Sequence, residues 1–468
     1  MAFVDTLLAE TTATVAIVDR YHRPGGHWTT AYPFVRLHQP SAFYGVNSKP
    51  LGHDSIDQVG WNKGLYELAT GDEVLAYYDQ VMNQHFLPSG RVQYFPNCSY
   101  SDDGRITSLV SGKTFQLAET CSRIVDATYS RVKVPSMGPP AYNVAPGIPF
   151  VTPNGLAKTA RAHANYTVIG AGKTGIDTCL WLLSRGVEPA QIAWVVPRDS
   201  WLLDRSAYQP GPAFAERRYA SLPAHSRAIM EATSVDDLFR RLEASHELLR
   251  LTDTVWPTMY RCATVSLAEL EQLRKIHNVV RQGRVLSIGT DAVNFEDGSR
   301  HQPQPDTLFI DCSADGLEKR DPVPVFNGKH ITLQAVRLCQ QVFSAAFIAH
   351  AEAAYDDEET KNQLCRPIPH PDESSDWLVI TLLNNENTAR WLSQPKTASW
   401  LAQARLDWFS CLVPPMPKDP EQSQKVLQHM AVRNQGVCDK IRVLIDQLPL
   451  KERERIQRQI LRDVSASL

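Results

Sequence analysis

The sequence lacks the marks of several large classes of protein. Its nine cysteines include no CxxC pair, which argues against a zinc knuckle, a dithiol redox centre and a framework of disulfides. Lys and Arg number 48 against 51 Asp and Glu, so no charge of one sign attracts nucleic acid or an anionic membrane. No apolar run approaches the roughly 18 residues of a membrane helix, and no basic secretory segment begins the chain. We therefore expect a cytoplasmic protein that binds neither nucleic acid, nor a membrane, nor a metal ion.

Residues 166–196 carry a complete strand, turn, helix and strand pattern. A short apolar strand leads into the sequence GAGKTG at 170–175, and an apolar helix and a second strand follow. In such a turn Gly170 permits the sharp change of direction, Gly172 lets the backbone approach a pyrophosphate, and Gly175 lets the helix pack against the sheet. The phosphates then lie at the positive N-terminal end of the helix. The pattern predicts a dinucleotide site.

The choice of dinucleotide depends on the end of the second strand. An acidic residue about 20 residues beyond the glycines binds the adenosine ribose in such units, but here the strand ends in Arg198. Because arginine suits a 2′-phosphate, the pattern favours NADPH over NADH. Lys173 and Thr174, inside the turn, are further candidates for phosphate contacts, although the backbone alone would suffice. The alternative is that Arg198 is merely exposed on a loop and that Asp199 binds the ribose.

The amino end reads as the second half of a similar unit. A helix at 1–10 and a β-branched run at 14–18, whose pattern predicts a buried parallel strand, precede Asp19, which stands where an acid would bind the ribose of a second nucleotide. Counting back by the spacing of the complete unit puts the expected glycine turn before Met1, so this chain lacks the first strand and its phosphate turn. The alternative is an ordinary helix and strand with Asp19 as a turn residue. The segment 23–38 then combines two glycines with aromatic, basic and imidazole groups, which suits a backbone close to a flat heteroaromatic ring.

These residues together resemble one family. The resemblance is carried by Asp19, the GGHW turn at 25–28, the YP pair at 32–33, Arg36, the DAT segment at 126–128 and the turn at 170–175. They look like the two-dinucleotide-binding flavoproteins, and more narrowly the flavin-containing and Baeyer–Villiger-type monooxygenases. The resemblance implies an α/β fold with a nested pair of Rossmann-like domains and a mostly helical C-terminal region. It assigns FAD binding to 1–160 plus 300–332, NADP binding to 161–299, and the helical region to 333–468.

The resemblance also implies site residues. Those expected near FAD are Asp19, Arg20, Gly26, His27, Trp28, Asp126, Asp311 and Asp315. The last two follow an apolar strand and resemble the segment in which the chain returns to the first domain and meets the flavin ribitol; the alternative is a strand-end turn. Arg36 and His38 are the candidates for catalysis, because an arginine near the flavin would hold negative charge and a histidine would donate or relay a proton. The alternative places both in a loop with surface partners.

The implied function is that of an FAD- and NADPH-dependent oxidoreductase, in the first place a monooxygenase of a small organic substrate that acts through a flavin hydroperoxide. The alternatives are an NADPH oxidase or flavin reductase that yields peroxide, and a non-catalytic nucleotide-binding relative that has lost flavin. Three departures bear on this choice: no first glycine motif, Tyr129 in place of the hinge glycine, and no F-x-G-x-x-x-H fingerprint between the two units. For the first we hypothesise an internal methionine of a longer gene product, or a decayed gene, which the upstream genomic sequence would decide.

Overall fold

A computed structural model describes residues 1–101, 103–117, 121–314, 316–408 and 419–460. Within these ranges the α-helices are Ala2–Glu10, Gly71–Val81, Pro153–Leu156, Lys173–Ser184, Ala215–Glu231, Val235–Ala244, Leu267–Leu273, Gln341–Ala354, Glu358–Leu364, Asp376–Ser393, Pro395–Gln403, Pro420–Asp446 and Leu450–Gln459. None of the helices that the structure describes is both long and apolar enough to cross a membrane. The molecule is an α/β protein with two nested units and a mostly helical C-terminal region, as the sequence predicts.

The predicted dinucleotide motif lies in a five-stranded parallel sheet, here called the nucleotide sheet. Its strands, in spatial order, are Phe150–Val151, Thr307–Asp311, Asn165–Ile169, Ile192–Val195 and Asn278–Val280. The strands are apolar because helices cover a parallel sheet. Asn165–Ile169 lies in the middle and leads into Lys173–Ser184, here called the nucleotide helix. This arrangement places the glycine turn at the carboxyl edge of the sheet, where α/β proteins bind nucleotides.

The first unit contains two separate pieces of sheet. Val15–Val18 runs parallel to Val92–Phe95, and Ile124–Asp126 runs parallel to His330–Thr332. The helices Ala2–Glu10 and Gln341–Ala354 pack together over a core to which both pieces of sheet contribute. The chain therefore leaves this unit, forms the nucleotide sheet, and returns, so the predicted nesting is confirmed.

The strand Val15–Val18 is less buried than its pattern predicts. Ala16 is exposed and its neighbours are half-buried, whereas Ile192–Val195, which likewise follows a helix, is buried throughout. In the nucleotide sheet Asn165–Ile169 covers the second edge of Ile192–Val195. Among the described residues no strand pairs with the corresponding edge of Val15–Val18. The expectation of a buried strand is wrong because burial depends on that missing neighbour.

Four small sheets complete the strands. They contain Ser200–Asp204 with Leu248–Leu249 and Met259–Val265; Asn143–Val144 with Val285–Ile288, Val293–Phe295 and Arg300–His301; Cys98–Tyr100 with Arg105–Ser108 and Thr114–Gln116; and Gly45–Val46 with Lys49–Pro50. A further strand, Phe326–Asn327, pairs antiparallel to His330–Thr332.

The C-terminal helices cover both units. Gln341–Ala354 belongs to the core of the first unit, whereas Asp376–Ser393 and Pro420–Asp446 share a core with the helices Ala215–Glu231 and Val235–Ala244, which follow the strand Ile192–Val195 in the chain. Three of the four C-terminal tryptophans are buried, as their helical spacing indicates: Trp377, Trp391 and Trp408.

One disulfide corrects the expectation drawn from the scattered cysteines. Cys262, in the strand Met259–Val265, is bonded to Cys339, which stands just before the helix Gln341–Ala354. The two residues are 77 positions apart, so no local spacing signals the pair. Cys312 is a buried free thiol, and burial raises its pKa.

Candidate functional site

The three glycines of the turn differ in what surrounds them. Gly170 has φ +118°, and a Cβ there would lie 2.6 Å from the carbonyl oxygen of Cys312. A Cβ at Gly175 would lie 1.9 Å from the carbonyl oxygen of Gly170. These two positions require glycine for the fold itself.

No steric contact within the described chain requires a glycine at position 172. Gly172 caps the N-terminus of the nucleotide helix with φ −76°, which other residues adopt readily. A Cβ there would meet nothing within 4 Å among the described residues. The space beside Gly172 therefore lies open in front of the helix N-terminus, where unpaired N–H groups and the helix dipole favour an anion.

The two polar residues of the turn are bound within the helix. The ammonium of Lys173 forms an ion pair with Asp177, one helical turn further on. The carbonyl of Thr174 accepts a hydrogen bond from the Thr178 hydroxyl at 2.8 Å. Lys173 thus stands at the anion site with its charge already paired to a carboxylate.

Arg198 follows the second strand of the nucleotide sheet and is held by two carboxylates. Its guanidinium donates to Glu373 Oε1 at 2.8 Å and to Asp372 Oδ2 at 2.9 Å. Arg261 and Lys319 also donate to Asp372. Burial raises the pKa of Asp372, but the hydrogen bonds from Lys319, Arg261 and Arg198 outweigh it and hold that pKa well below its usual range. Three cations therefore face two carboxylates at this end of the sheet.

Asp199 is not available as an open ribose ligand. Its side chain is 5% exposed, and its two carboxylate oxygens accept from Arg281 at 2.8 and 3.0 Å. Arg281 follows the neighbouring strand Asn278–Val280. The ion pair between Arg281 and Asp199 therefore lies at the carboxyl edge of the sheet, between the strands Ile192–Val195 and Asn278–Val280.

Asp19 stands directly after Val15–Val18, as predicted. Its Oδ1 accepts from the Tyr21 N–H at 3.0 Å. Burial raises its pKa, opposed by that hydrogen bond and by the amino group of Met1. The Tyr94 hydroxyl is buried near Asp19 and has no hydrogen-bond partner within the described part of the chain. Arg20 is exposed.

The GGHW turn forms a short 3-10 helix, Gly26–Thr30. Gly26 has φ +56°, and nothing lies within 4 Å of the position of its Cβ. Burial lowers the pKa of His27 to about 4, so its imidazole is neutral at pH 7. Its ring centroid lies 5.3 Å from that of Trp28, which packs against the core of the first unit.

The structure separates the two predicted catalytic residues by environment. Arg36 is exposed, and its guanidinium donates weakly to the Leu68 carbonyl at 3.4 Å. His38 is half-buried, and burial together with the nearby cations Lys173 and Arg205 lowers its pKa to about 3. Its Nδ1 is buried and has no partner among the described residues. His38 therefore supplies a neutral imidazole close to the glycine turn.

Two of the three remaining acidic residues are described. Asp126 ends the strand Ile124–Asp126 and its Oδ1 accepts from the N–H and the hydroxyl of Thr128, both at 2.7 Å. Asp311 ends Thr307–Asp311 and accepts from the Tyr142 hydroxyl at 2.9 Å. Asp315 lies outside the described residues.

The position of Asp311 corrects a prediction. Its strand pairs with Asn165–Ile169 in the nucleotide sheet, so this segment does not return the chain to the first unit. The return occurs at His330–Thr332, which pairs with Ile124–Asp126. The strand Thr307–Asp311 gives the stronger sequence signal, because it is apolar and ends in an aspartate, whereas His330–Thr332 is short and carries polar residues at both ends.

Sequence reasoning missed the partners of the predicted residues. Asp372 and Glu373, which hold Arg198, lie far along the chain in a proline-rich stretch without a motif. Asp177 stands four residues after Lys173, a spacing that signals a helical ion pair. Tyr32 donates to Asp177 at 2.7 Å, a contact that no local pattern reveals.

The fold and the glycine turn define an α/β protein with a site of the dinucleotide type. No family model matches the chain. The uncharacterized protein Rv2000 of Mycobacterium tuberculosis and the uncharacterized protein Mb2023 of Mycobacterium bovis are each 51% identical to it over 446 residues, which is 95% of this chain and 82% of the relative. The chain belongs to the family of these mycobacterial proteins.

Several solved structures are similar to this chain in their backbone fold. The open crystal structure of cyclohexanone monooxygenase is 13% identical, with 95% of this chain and 94% of that chain covered and a TM-score of 0.44. The FAD-bound form of OTEMO is 12% identical, with coverages of 92% and 96% and a TM-score of 0.45. DfoA, a cadaverine monooxygenase of Erwinia amylovora bound to FAD, is 12% identical, with coverages of 78% and 91% and a TM-score of 0.40. At TM-scores below 0.5 we draw nothing about function from these similarities.

Proposed function

We propose that this protein is an FAD- and NADPH-dependent oxidoreductase that acts on a small organic substrate as a monooxygenase. The nucleotide sheet, with its glycine turn, is the NADPH-binding unit, and the first unit is the FAD-binding one. The observation that carries the proposal is the open space beside Gly172, in front of the nucleotide helix. A glycine that the fold itself does not require, at the anion-binding end of a helix, fits a pyrophosphate that lies against the backbone.

The residues around Arg198 support NADPH over NADH. Arg198, Arg261 and Lys319 converge on Asp372 at the end of the strand where the adenosine ribose lies in such units. The three cations exceed the two carboxylates by one charge, and a 2′-phosphate brings the missing negative charge. Binding would require Arg198 to exchange at least one carboxylate contact for the phosphate.

The first unit fits FAD at its ribose end. Asp19 lies at the end of its strand, and the unpartnered hydroxyl of Tyr94 is buried beside it. The open left-handed turn at Gly26 leaves room for a flat ring.

Bound FAD would supply hydride acceptance and reaction with dioxygen, chemistry that no side chain of this protein provides. The neutral imidazole of His38, with its unpartnered Nδ1, would accept or donate a hydrogen bond on the side of the glycine turn. The guanidinium of Arg36 would contribute positive charge, and the half-buried side chains of His27 and Trp28 would border the ring.

A second candidate is a nucleotide-binding protein that holds NADP(H) without flavin. The observation that favours it is the uncovered edge of Val15–Val18, with which no strand pairs among the described residues. A flavin reductase or oxidase that releases peroxide shares the cofactors of the leading proposal and differs from it only in the fate of oxygen.

The preference for NADPH is tested with Arg198→Ala. We expect this variant to lose affinity for NADPH by about tenfold or more and for NADH by much less, because a charged hydrogen bond to phosphate contributes about 1.5–3 kcal/mol. Isothermal titration of both dinucleotides measures the two losses. Arg281→Ala is the matched control, since Arg281 lies on the next strand and is paired to Asp199. Equal losses for the two dinucleotides in Arg198→Ala would contradict the 2′-phosphate role.

A further inference from the structure

The nucleotide helix carries a stripe of residues that touches the segment Gly25–His38. Lys173, Asp177 and Trp181 are spaced four residues apart and therefore share one face of the helix. The Tyr32 hydroxyl donates to Asp177 at 2.7 Å. The Phe34 ring stacks on Trp181, with centroids 4.8 Å apart and an interplanar angle of 21°. The segment that borders the proposed flavin site thus lies along the helix that begins the proposed NADPH site.

The hydrogen bond from the Tyr32 hydroxyl to Asp177 is buried, and its strength depends on the charge of the Asp177 carboxylate. Tyr32 is 4% exposed, and burial followed by the nearby Asp177 raises its pKa well above the usual value. Burial raises the pKa of Asp177 too, whereas Lys173 and the Tyr32 hydroxyl lower it. The carboxylate is therefore shared between one cation and one hydroxyl donor.

Lys173 has a second possible partner when a dinucleotide is present. It is the first residue of the nucleotide helix, next to the open space at Gly172. A pyrophosphate carries two negative charges, so it attracts the ammonium more strongly than one carboxylate does. When Lys173 turns toward the phosphates, Asp177 loses its cation and Tyr32 becomes its main charge-assisted partner.

We propose that Lys173, Asp177 and Tyr32 couple occupancy of the glycine turn to the conformation of the segment Gly25–His38. A dinucleotide pyrophosphate takes Lys173 from Asp177, and the released carboxylate then binds the Tyr32 hydroxyl more tightly. Tyr32 and Asp177 are positioning residues, because they act on the segment that carries His27, Trp28 and His38 rather than on a reacting atom. This inference rests on the proposed NADPH site.

Hydrogen exchange measured by mass spectrometry tests the coupling without any enzymatic turnover. We expect NADP⁺ to slow the exchange of amides in both 170–180 and 26–38 of the wild-type protein. In Tyr32→Phe and in Lys173→Gln, NADP⁺ should still slow exchange in 170–180 but leave 26–38 unchanged. Tyr166→Phe is the matched control, because Tyr166 accepts a hydrogen bond from the His163 N–H in the same unit and lies outside the stripe.

Coupling between two sites is reciprocal, so the affinity of NADP⁺ changes as well. We expect Tyr32→Phe to weaken NADP⁺ about fivefold although Tyr32 contacts no phosphate, a factor at the low end of typical couplings. Titration calorimetry should show no change in Tyr166→Phe.

The outcomes separate the two proposals. Slowed exchange of 26–38 by NADP⁺ in Tyr32→Phe, equal to that in the wild type, would overturn the coupling and leave the NADPH site standing. Unchanged exchange of 170–180 in the wild-type protein would overturn the NADPH site, and the coupling with it. If NADP⁺ slows exchange in 170–180 of the wild-type protein but leaves 26–38 unchanged there, the coupling is overturned and the NADPH site stands.

Discussion

At the scale of single residues, the glycines of the turn at 170–175 differ in why a glycine stands there: two are required by the fold, and one is not. Gly170 and Gly175 leave no room for a side chain because backbone atoms of the chain lie where a Cβ would be. Gly172 leaves room, and only a bound molecule gives that room a use. Substitution by alanine at each position therefore distinguishes fold from function.

We predict that Gly175→Ala lowers the thermal stability of the protein strongly, because its Cβ would lie 1.9 Å from the carbonyl oxygen of Gly170. Gly172→Ala should keep the melting temperature within a few degrees, since its φ of −76° suits alanine. It should nevertheless weaken NADP⁺ by about tenfold or more, because a methyl group would stand where the pyrophosphate approaches. Thermal unfolding and titration of NADP⁺ measure both effects. Unchanged NADP⁺ affinity in Gly172→Ala would argue against the site.

Asp372 permits a prediction about pH. Asp372→Asn should lower the free energy of unfolding at pH 7 by about 2 kcal/mol, because Arg198, Arg261 and Lys319 lose a shared charged acceptor. The pKa of Asp372 in the folded protein lies well below its usual 3.8, so its contribution is complete above 3.8, starts to fall below that pH, and is lost as the pH falls through the lower pKa of the folded state. Urea unfolding between pH 7 and pH 3 should show the wild type and the variant converging. A difference that grows toward pH 3 would contradict this assignment.

A sequence predicts the role of a residue when that role depends on residues close to it along the chain. The turn at Gly170 and Gly175 follows from strand, turn and helix in one continuous stretch. The partners of Arg198 do not, because Asp372 and Glu373 reach it from the C-terminal part of the molecule. The sequence shows that a cation follows the strand, but only the tertiary structure shows which carboxylates pair with its charge.

At the scale of elements, Val15–Val18 and Ile192–Val195 are the same type of strand in different surroundings. Both are short, β-branched or apolar, preceded by a helix, and paired with one further parallel strand. Ile192–Val195 has a second neighbour in Asn165–Ile169, and Val15–Val18 has none among the described residues. A sequence pattern predicts the strand, but the neighbour decides how much of it is buried.

We predict a difference in hydrogen exchange between these strands. Amides of Val15–Val18 should exchange at least about tenfold faster than those of Ile192–Val195, because a two-stranded sheet with an uncovered edge opens more easily than the interior of a five-stranded one. The strand Val92–Phe95 is the internal control and should follow Val15–Val18. Equal protection of Val15–Val18 and Ile192–Val195 would mean that the uncovered edge is covered in solution.

At the scale of the whole molecule, contacts between distant parts of the chain hold the nested units together. The disulfide joins Cys262, in the small sheet inserted between the nucleotide-sheet strands Ile192–Val195 and Asn278–Val280, to Cys339, just before a helix that packs in the first unit. We predict that Cys339→Ser lowers the free energy of unfolding by about 2–4 kcal/mol, since closing a long loop restricts the unfolded chain. Urea unfolding without reductant measures this.

The control is Cys121→Ser, because Cys121 is exposed and has a free thiol. It should leave the stability unchanged. Peptide mapping under non-reducing conditions should recover residues 262 and 339 in one linked pair. If reductant leaves the wild-type protein as stable as before, the bridge does not form in solution.

The sequence predicts that the two units are nested, but it does not predict the residues at which the chain returns to the first unit. The apolar strand that ends in Asp311 is the point of return that the sequence predicts, whereas the short strand His330–Thr332 carries no such signal. The hydrogen-bonding partner of each strand decides between them, and that partner is set by the packing of the helices over the sheet. For the same reason the sequence predicts the order of the two nested units without fixing the boundary between them.

The central claim is that this chain passes reducing equivalents from NADPH to a flavin. The most direct test is the visible spectrum of the protein after incubation with FAD and gel filtration, recorded anaerobically before and after addition of NADPH. The account predicts that flavin bands elute with the protein and that NADPH bleaches them faster than NADH does. A protein that elutes without flavin, or whose bands NADPH leaves unchanged, would contradict it.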